Sequence, residues 1–278
     1  MQPATPATPA FPPPPPLPEL PAPPGPPRRR RARRVVAAVL AVFLVLAAAD
    51  VVALVAVTHP SDRGDPASYA FLQRHDGAPV RWDPCTPIHY ALDPRYAPPD
   101  APEILRQVTQ HVTDATGIRF VYDGTTPWSP EAAEMARYAA TAPTFHYLPV
   151  LIAWLPASRF RNFAPPHKIL AVGIPYSPPG AYRYVSGMIV VNAAQDMPDG
   201  WAMRYSLGPV LLHEFGHLMG LAHVDDPEQL MWSDRAPGAQ EGDVPDLSTN
   251  DWGAGDRAGL EQLGIEQGCL TPTATPTP

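Results

Sequence analysis

His213-Glu-Phe-Gly-His-Leu-Met-Gly-Leu-Ala-His223 continues an apolar stretch with helical periodicity, which predicts a helix from about Met203 to Met219. Residues four apart stack on one helix face, so His213 and His217 can share one metal ion. Glu214 is one position round the helix and can reach a water beside that ion. Gly220 can take positive φ, end the helix and reverse the chain, which returns His223 to the same ion. Three neutral imidazoles leave one tetrahedral position open, the pattern of a catalytic zinc site and not of a closed structural one. The competing readings are a histidine-rich surface helix and a degenerate site without metal. A distant third ligand such as Glu241 is a further alternative, which His223 makes unnecessary.

Working outward, the flanks divide the chain. Fourteen of its 41 prolines fall in the first 27 residues, and residues 1–34 read as a disordered Pro/Arg-rich leader. Such a leader is a solvated spacer or a ligand for polyproline-binding grooves. Residues 35–57 form a 23-residue apolar run with one charge, Asp50, directly after the six arginines of residues 28–34. That length spans a bilayer as a helix, and the arginine block favours a cytoplasmic N-terminus with the remainder outside. The alternative is a signal peptide cleaved near Ala47-Ala-Ala49, followed by secretion. Both readings export residues 58–278. Residues 58–80 read as a linker, 81–270 as the folded domain and 271–278 as a disordered tail.

Of 20 basic and 27 acidic residues, six and two precede residue 58. The exported part therefore carries 14 and 25, a balance of −11, which argues against a nucleic-acid partner. The two cysteines, Cys85 and Cys269, lie near the two ends of the expected domain. In an oxidising compartment that placement predicts one disulfide.

Within the domain, Ile88–Leu92 suits a first strand, and Asp100 is placed to cap a helix running to Thr116 before Gly117. Further strands are expected at 118–122, 149–154, 169–174 and 186–192, and a last helix over 249–263 with Gly264 as its C-cap. Residues 124–148 are an insertion with no clear pattern. Gly187–Val191 is either an edge strand able to pair with a substrate backbone or an interior strand. The order of elements predicts a mixed α/β domain with a twisted sheet.

The segment 213–223 resembles the metzincin zinc-peptidase signature, and Val224-Asp-Asp-Pro-Glu-Gln-Leu-Met231 resembles its matrixin branch, where Asp-Pro and Leu-Met follow the third histidine at this spacing. Asp256-Arg-Ala-Gly-Leu-Glu-Gln-Leu-Gly264 looks like the closing helix of matrixin domains. The resemblance is tight over 209–234, weaker over 247–264 and only architectural upstream. It implies a twisted mixed sheet with an active-site helix, Met231 as the Met-turn floor beneath the imidazoles, and a C-terminal helix. It also implies one catalytic zinc ion on His213, His217 and His223, and an endopeptidase acting on protein or peptide substrates. A metal-activated water would attack the peptide bond with Glu214 as general base. The alternative is a catalytically inactive metzincin-fold binding module on the cell surface. Departures from the pattern are Val224 in place of serine and Met231-Trp-Ser233 in place of Met-Tyr-Pro. There is no tyrosine ligand two residues after Met231, no His-x-Asp cluster for a second zinc, and no cysteine-switch propeptide.

Overall fold

The computed structural model describes residues 63–131, 148–163, 169–178, 181–203, 205–233 and 249–270. The leader, the 35–57 run, the tail, Glu241 and most of the 124–148 insertion lie outside the described residues. Among the described residues no helix is long and apolar enough to cross a membrane.

Among the described residues, nine strands and three α-helices follow in chain order. Three two-residue strands come first: β1 (Ala70–Phe71), β2 (Arg74–His75) and β3 (Ala78–Pro79). The main strands are β4 (Ile88–Asp93), β5 (Phe120–Thr125), β6 (Val150–Leu155), β7 (Ala171–Tyr176) and β8 (Ser186–Asn192). A short β9 (Leu221–Ala222) lies beside the third histidine. The helices are α1 (Ala101–Thr116), α2 (Leu207–Met219) and α3 (Ala254–Glu261).

The main sheet has the order β5-β4-β6-β8-β7. Strands β5, β4, β6 and β8 run parallel, and β7 pairs antiparallel with β8. Every residue of β6 is buried, as the central strand of a covered parallel sheet requires. The apolar stripe of α1, which includes Ile104, Leu105, Val108 and Val112, enters one core with Leu211, Phe215 and Leu218 of α2. Gly117 ends α1 at φ 71°, with its N–H bonded to Thr113 O.

The mixed α/β architecture and the main strands fall where expected, with shifts at several ends. Strand β5 starts at Phe120 and not at 118. Asp100 caps α1 through its carbonyl, which accepts the N–H groups of Glu103 and Ile104, and makes no side-chain cap bond. Helix α2 begins at Leu207 and not near Met203, because Met203 N–H donates to Ser206 Oγ and Ser206 is extended (φ −67°, ψ 157°). The last helix starts at Ala254, after the extended Gly253 (φ −78°, ψ 177°), and not at 249. Its C-cap is Gln262. Gly264 has φ −90°, outside the left-handed region; a Cβ there would collide with the backbone of Thr116.

Two further features bear on function. Strand β8, which holds Gly187–Val191, is interior, and the edge position beside it belongs to β7. Ordered contacts also begin before the expected boundary at Arg81: β1 pairs with β9, Val80 is buried, and Asp76 (φ 48°) with Gly77 (φ 83°) turns the β2–β3 hairpin.

Cys85 and Cys269 form a disulfide with Cα atoms 5.3 Å apart, across 184 positions of sequence. Beside it, Asp83 Oδ1 accepts the N–H groups of both Cys85 and Leu270, and Arg81 Nη2 donates to the carbonyls of Gln267 and Gly268. The two ends of the domain are thus stitched together.

Candidate metal centre

Twelve of the thirteen residues of α2 are buried, which makes it a core helix carrying polar groups. Loop carbonyls take up its first amides: Leu207 N–H donates to Pro198 O and Gly208 N–H to Gly200 O. His213 and Glu214 are 2% and 5% exposed. A carboxylate this deeply covered is retained in a core only with partners or a task.

Each helical imidazole is fixed by a bond on its inner nitrogen. His213 Nδ1 donates to Leu230 O at 2.7 Å, and His217 Nδ1 donates to Leu221 O at 2.9 Å. A carbonyl can only accept, so both Nδ1 atoms carry the proton and both Nε2 atoms present lone pairs. These lone pairs converge with that of the third imidazole: His223 Nε2 lies 3.1 Å from His213 Nε2 and 3.1 Å from His217 Nε2. All the candidate ligand atoms lie within 4.8 Å of one another. Nitrogens about 2.0–2.1 Å from one tetrahedral ion would be about 3.3–3.4 Å apart, so the cluster fits zinc. Among the described residues this is the one such group of His, Cys, Asp or Glu.

The turn after α2 depends on Gly220. Its φ is 116°, and its N–H donates to Gly216 O and His217 O. A Cβ there would also lie 3.1 Å from the Tyr184 ring and 3.3 Å from Val80 O, so alanine is opposed by both conformation and space.

Met231 sits under the helix at 1% exposure. Gly216, between the first two histidines, makes room for it: a Cβ at 216 would collide with Met231 Sδ and lie 3.2 Å from the Trp252 ring. The loop that carries Met231 is closed by Val224 N–H to Met231 O and by Ser233 N–H to Val224 O. Val224 therefore contributes its backbone to the turn, whatever its side chain.

Asp256 is the residue that motif reading missed. Its carboxylate accepts Leu230 N–H at 2.6 Å, Met231 N–H at 3.3 Å and Gly253 N–H at 3.0 Å, while its own N–H donates to Gln229 Oε1. Burial pushes its pKa up to about 6, against the opposing pull of the three N–H donors. Leu230 thus links Asp256 on one side to His213 on the other. In the sequence, Asp256 stands three residues after Gly253, the spacing at which a carboxylate reaches back to an N-cap N–H, and that spacing was the one part of its role the sequence carried.

Glu214 lies under the sheet edge. A Cβ on Gly173 of β7 would collide with the Glu214 carbonyl, so β7 rests directly on α2 at this residue. Ile174 and Tyr176 of β7 are exposed.

A mixed sheet with an antiparallel edge strand, a buried histidine helix, a glycine turn and a methionine packed against Gly216 of that helix together define a zinc metallopeptidase of the metzincin type. The matrixin family (Peptidase_M10) matches residues 107–254, more than half of the chain, and the protein belongs to it. Among solved structures, the zinc-dependent peptidase from Methanocorpusculum labreanum (strain Z) is similar at 18% identity and a TM-score of 0.28, covering 52% of this chain and 87% of that one. No curated protein matches the chain.

Proposed function

We propose that this protein is a zinc-dependent endopeptidase that cleaves protein or peptide substrates, with His213, His217 and His223 holding a single zinc ion and Glu214 as general base. The observation that carries the reading is the convergence of three Nε2 atoms, two of them 3.1 Å from the third, with the helical pair locked in the ligating tautomer. Zinc, when bound, polarises the peptide carbonyl and lowers the pKa of water toward about 7. The remaining steps belong to the chain. Glu214 takes the proton of the attacking water and passes it to the leaving amine. Its 5% exposure keeps bulk water from competing for that proton. The edge strand β7, resting on α2 at Glu214, offers a backbone against which an extended substrate can be added as a further strand.

Glu214→Gln tests the assignment. Glutamine is nearly isosteric but cannot accept the proton, so zinc content should stay at the wild-type level. Turnover of a cleaved protein substrate should fall about 10²–10⁴-fold. Near wild-type turnover would remove Glu214 from the role.

The same reading places the peptidase domain outside the cytoplasmic membrane, anchored through residues 35–57. The arginine block ahead of the apolar run supports this orientation, and the Cys85–Cys269 bond suits an oxidising compartment. Protease applied to intact cells should remove residues 58–278; their protection would reverse the topology.

A further inference from the structure

Only Leu221 and Ala222 separate Gly220, where α2 ends, from His223. That turn fixes where the third imidazole lies, and Leu221 O also receives the Nδ1 proton of His217. Its backbone is occupied on its other side by a segment far away in sequence. Ala70 pairs with Ala222 and Phe71 with Leu221, and Leu72 N–H donates to Gly220 O at 2.8 Å.

This segment is itself tied down along its length. Arg63 O accepts Ala254 N–H at 2.7 Å, and Asp65 N–H donates to Asp226 Oδ2 at 2.9 Å in the loop that leads to Met231. The Ser68 carbonyl lies where a Cβ on Gly255 would be, and Tyr69 lies 3.0 Å from where a Cβ on Gly259 would be. Gly255 and Gly259 are one turn apart on α3, and their missing side chains form the trough in which the segment rests.

We propose that residues 63–72 are a strap that positions the third histidine, so that zinc is held in part by a segment with no metal ligand of its own. Asp226 anchors its start, the glycine trough holds its middle, and β1 zips its end to the two residues before His223. The strap continues directly into the chain that precedes the domain. Cleavage or displacement there loosens the Gly220–His223 turn and weakens the metal site without touching a ligand. The proposal rests on the reading of the three histidines as a zinc site.

The test uses full-length, zinc-loaded protein and two variants that disturb the strap at different points. Gly255→Ala puts a methyl group against the Ser68 carbonyl. That methyl group would collide with the backbone of Ser68 and Asp65, so the strap must move away from α3 to make room for it. Leu72→Pro removes the N–H that Gly220 O accepts, and Leu72→Ala keeps it. The readouts are zinc transfer to a chromogenic chelator and the visible spectrum of the cobalt-substituted protein. Circular dichroism monitors the fold. Gly255→Ala and Leu72→Pro should release zinc about 10- to 100-fold faster, the usual size of an outer-shell effect, with an altered cobalt spectrum, and Leu72→Ala should match wild type. Folded variants with wild-type release and spectrum would overturn the proposal. So would loss of fold in both, because the strap would then serve the fold and not the site. Absence of zinc from the wild-type protein would instead refute the metal assignment itself.

Discussion

Asp256 Oδ2 accepts the backbone N–H of Leu230 at 2.6 Å, and the carbonyl of the same Leu230 receives the Nδ1 proton of His213 at 2.7 Å. One peptide segment thus transmits the position of a buried carboxylate in α3 to an imidazole of the histidine cluster in α2. The bond to Leu230 O also selects the tautomer that leaves Nε2 free to ligate.

Asp256→Ala removes the acceptor of three backbone N–H groups at Leu230, Met231 and Gly253. A buried donor left without a partner costs about 1–3 kcal/mol. Thermal or urea unfolding should show a loss of at least about 3 kcal/mol, and zinc affinity should fall about 10- to 100-fold, as for other groups that orient a ligand. Wild-type stability and zinc affinity together would show that the Leu230 segment holds its place without the carboxylate.

The same carboxyl should titrate near pH 6 in the folded protein, not near its ordinary 3.8. Because the folded state holds this proton more tightly, Asp256 favours folding most below pH 3.8. That contribution disappears as the pH rises through about 6. Its size over the window is about 3 kcal/mol at 1.36 kcal/mol per pKa unit. Carboxyl-carbon NMR of the selectively labelled protein measures the midpoint; a value near 3.8 would mean that the three N–H donors outweigh burial.

The histidine cluster could be read from sequence because its geometry is local. A spacing of four on a helix, then a glycine and a two-residue return, brings three imidazoles into one neighbourhood from a single short stretch of sequence. The disulfide was accessible for a different reason: two cysteines leave one pairing within the chain, and the ends of a compact domain meet. Asp256 could not be placed so readily, since its partners Leu230 and Met231 lie 26 and 25 residues away. Residues 58–80 are polar and lack apolar periodicity, so their composition reads as a linker and hides the strap. Apart from Phe71, which packs against the core, its contacts are hydrogen bonds of its backbone and close approaches to glycine, which leave no hydrophobic pattern. The Asp76-Gly77 hairpin inside that stretch did carry a recognisable turn signal. The edge position of β7 depends on strand order, which the composition of individual strands does not encode.

The proposed chemistry requires one zinc ion held by three histidines. Elemental analysis of the purified protein, combined with X-ray absorption at the zinc edge, measures both the number of ions and their ligands. One zinc per chain with three imidazole nitrogens at about 2.0–2.1 Å is the expected result, and it should vanish in His217→Ala. A reconstituted wild-type protein that holds no zinc, or one whose zinc has sulfur or carboxylate neighbours in place of the three imidazoles, would contradict it.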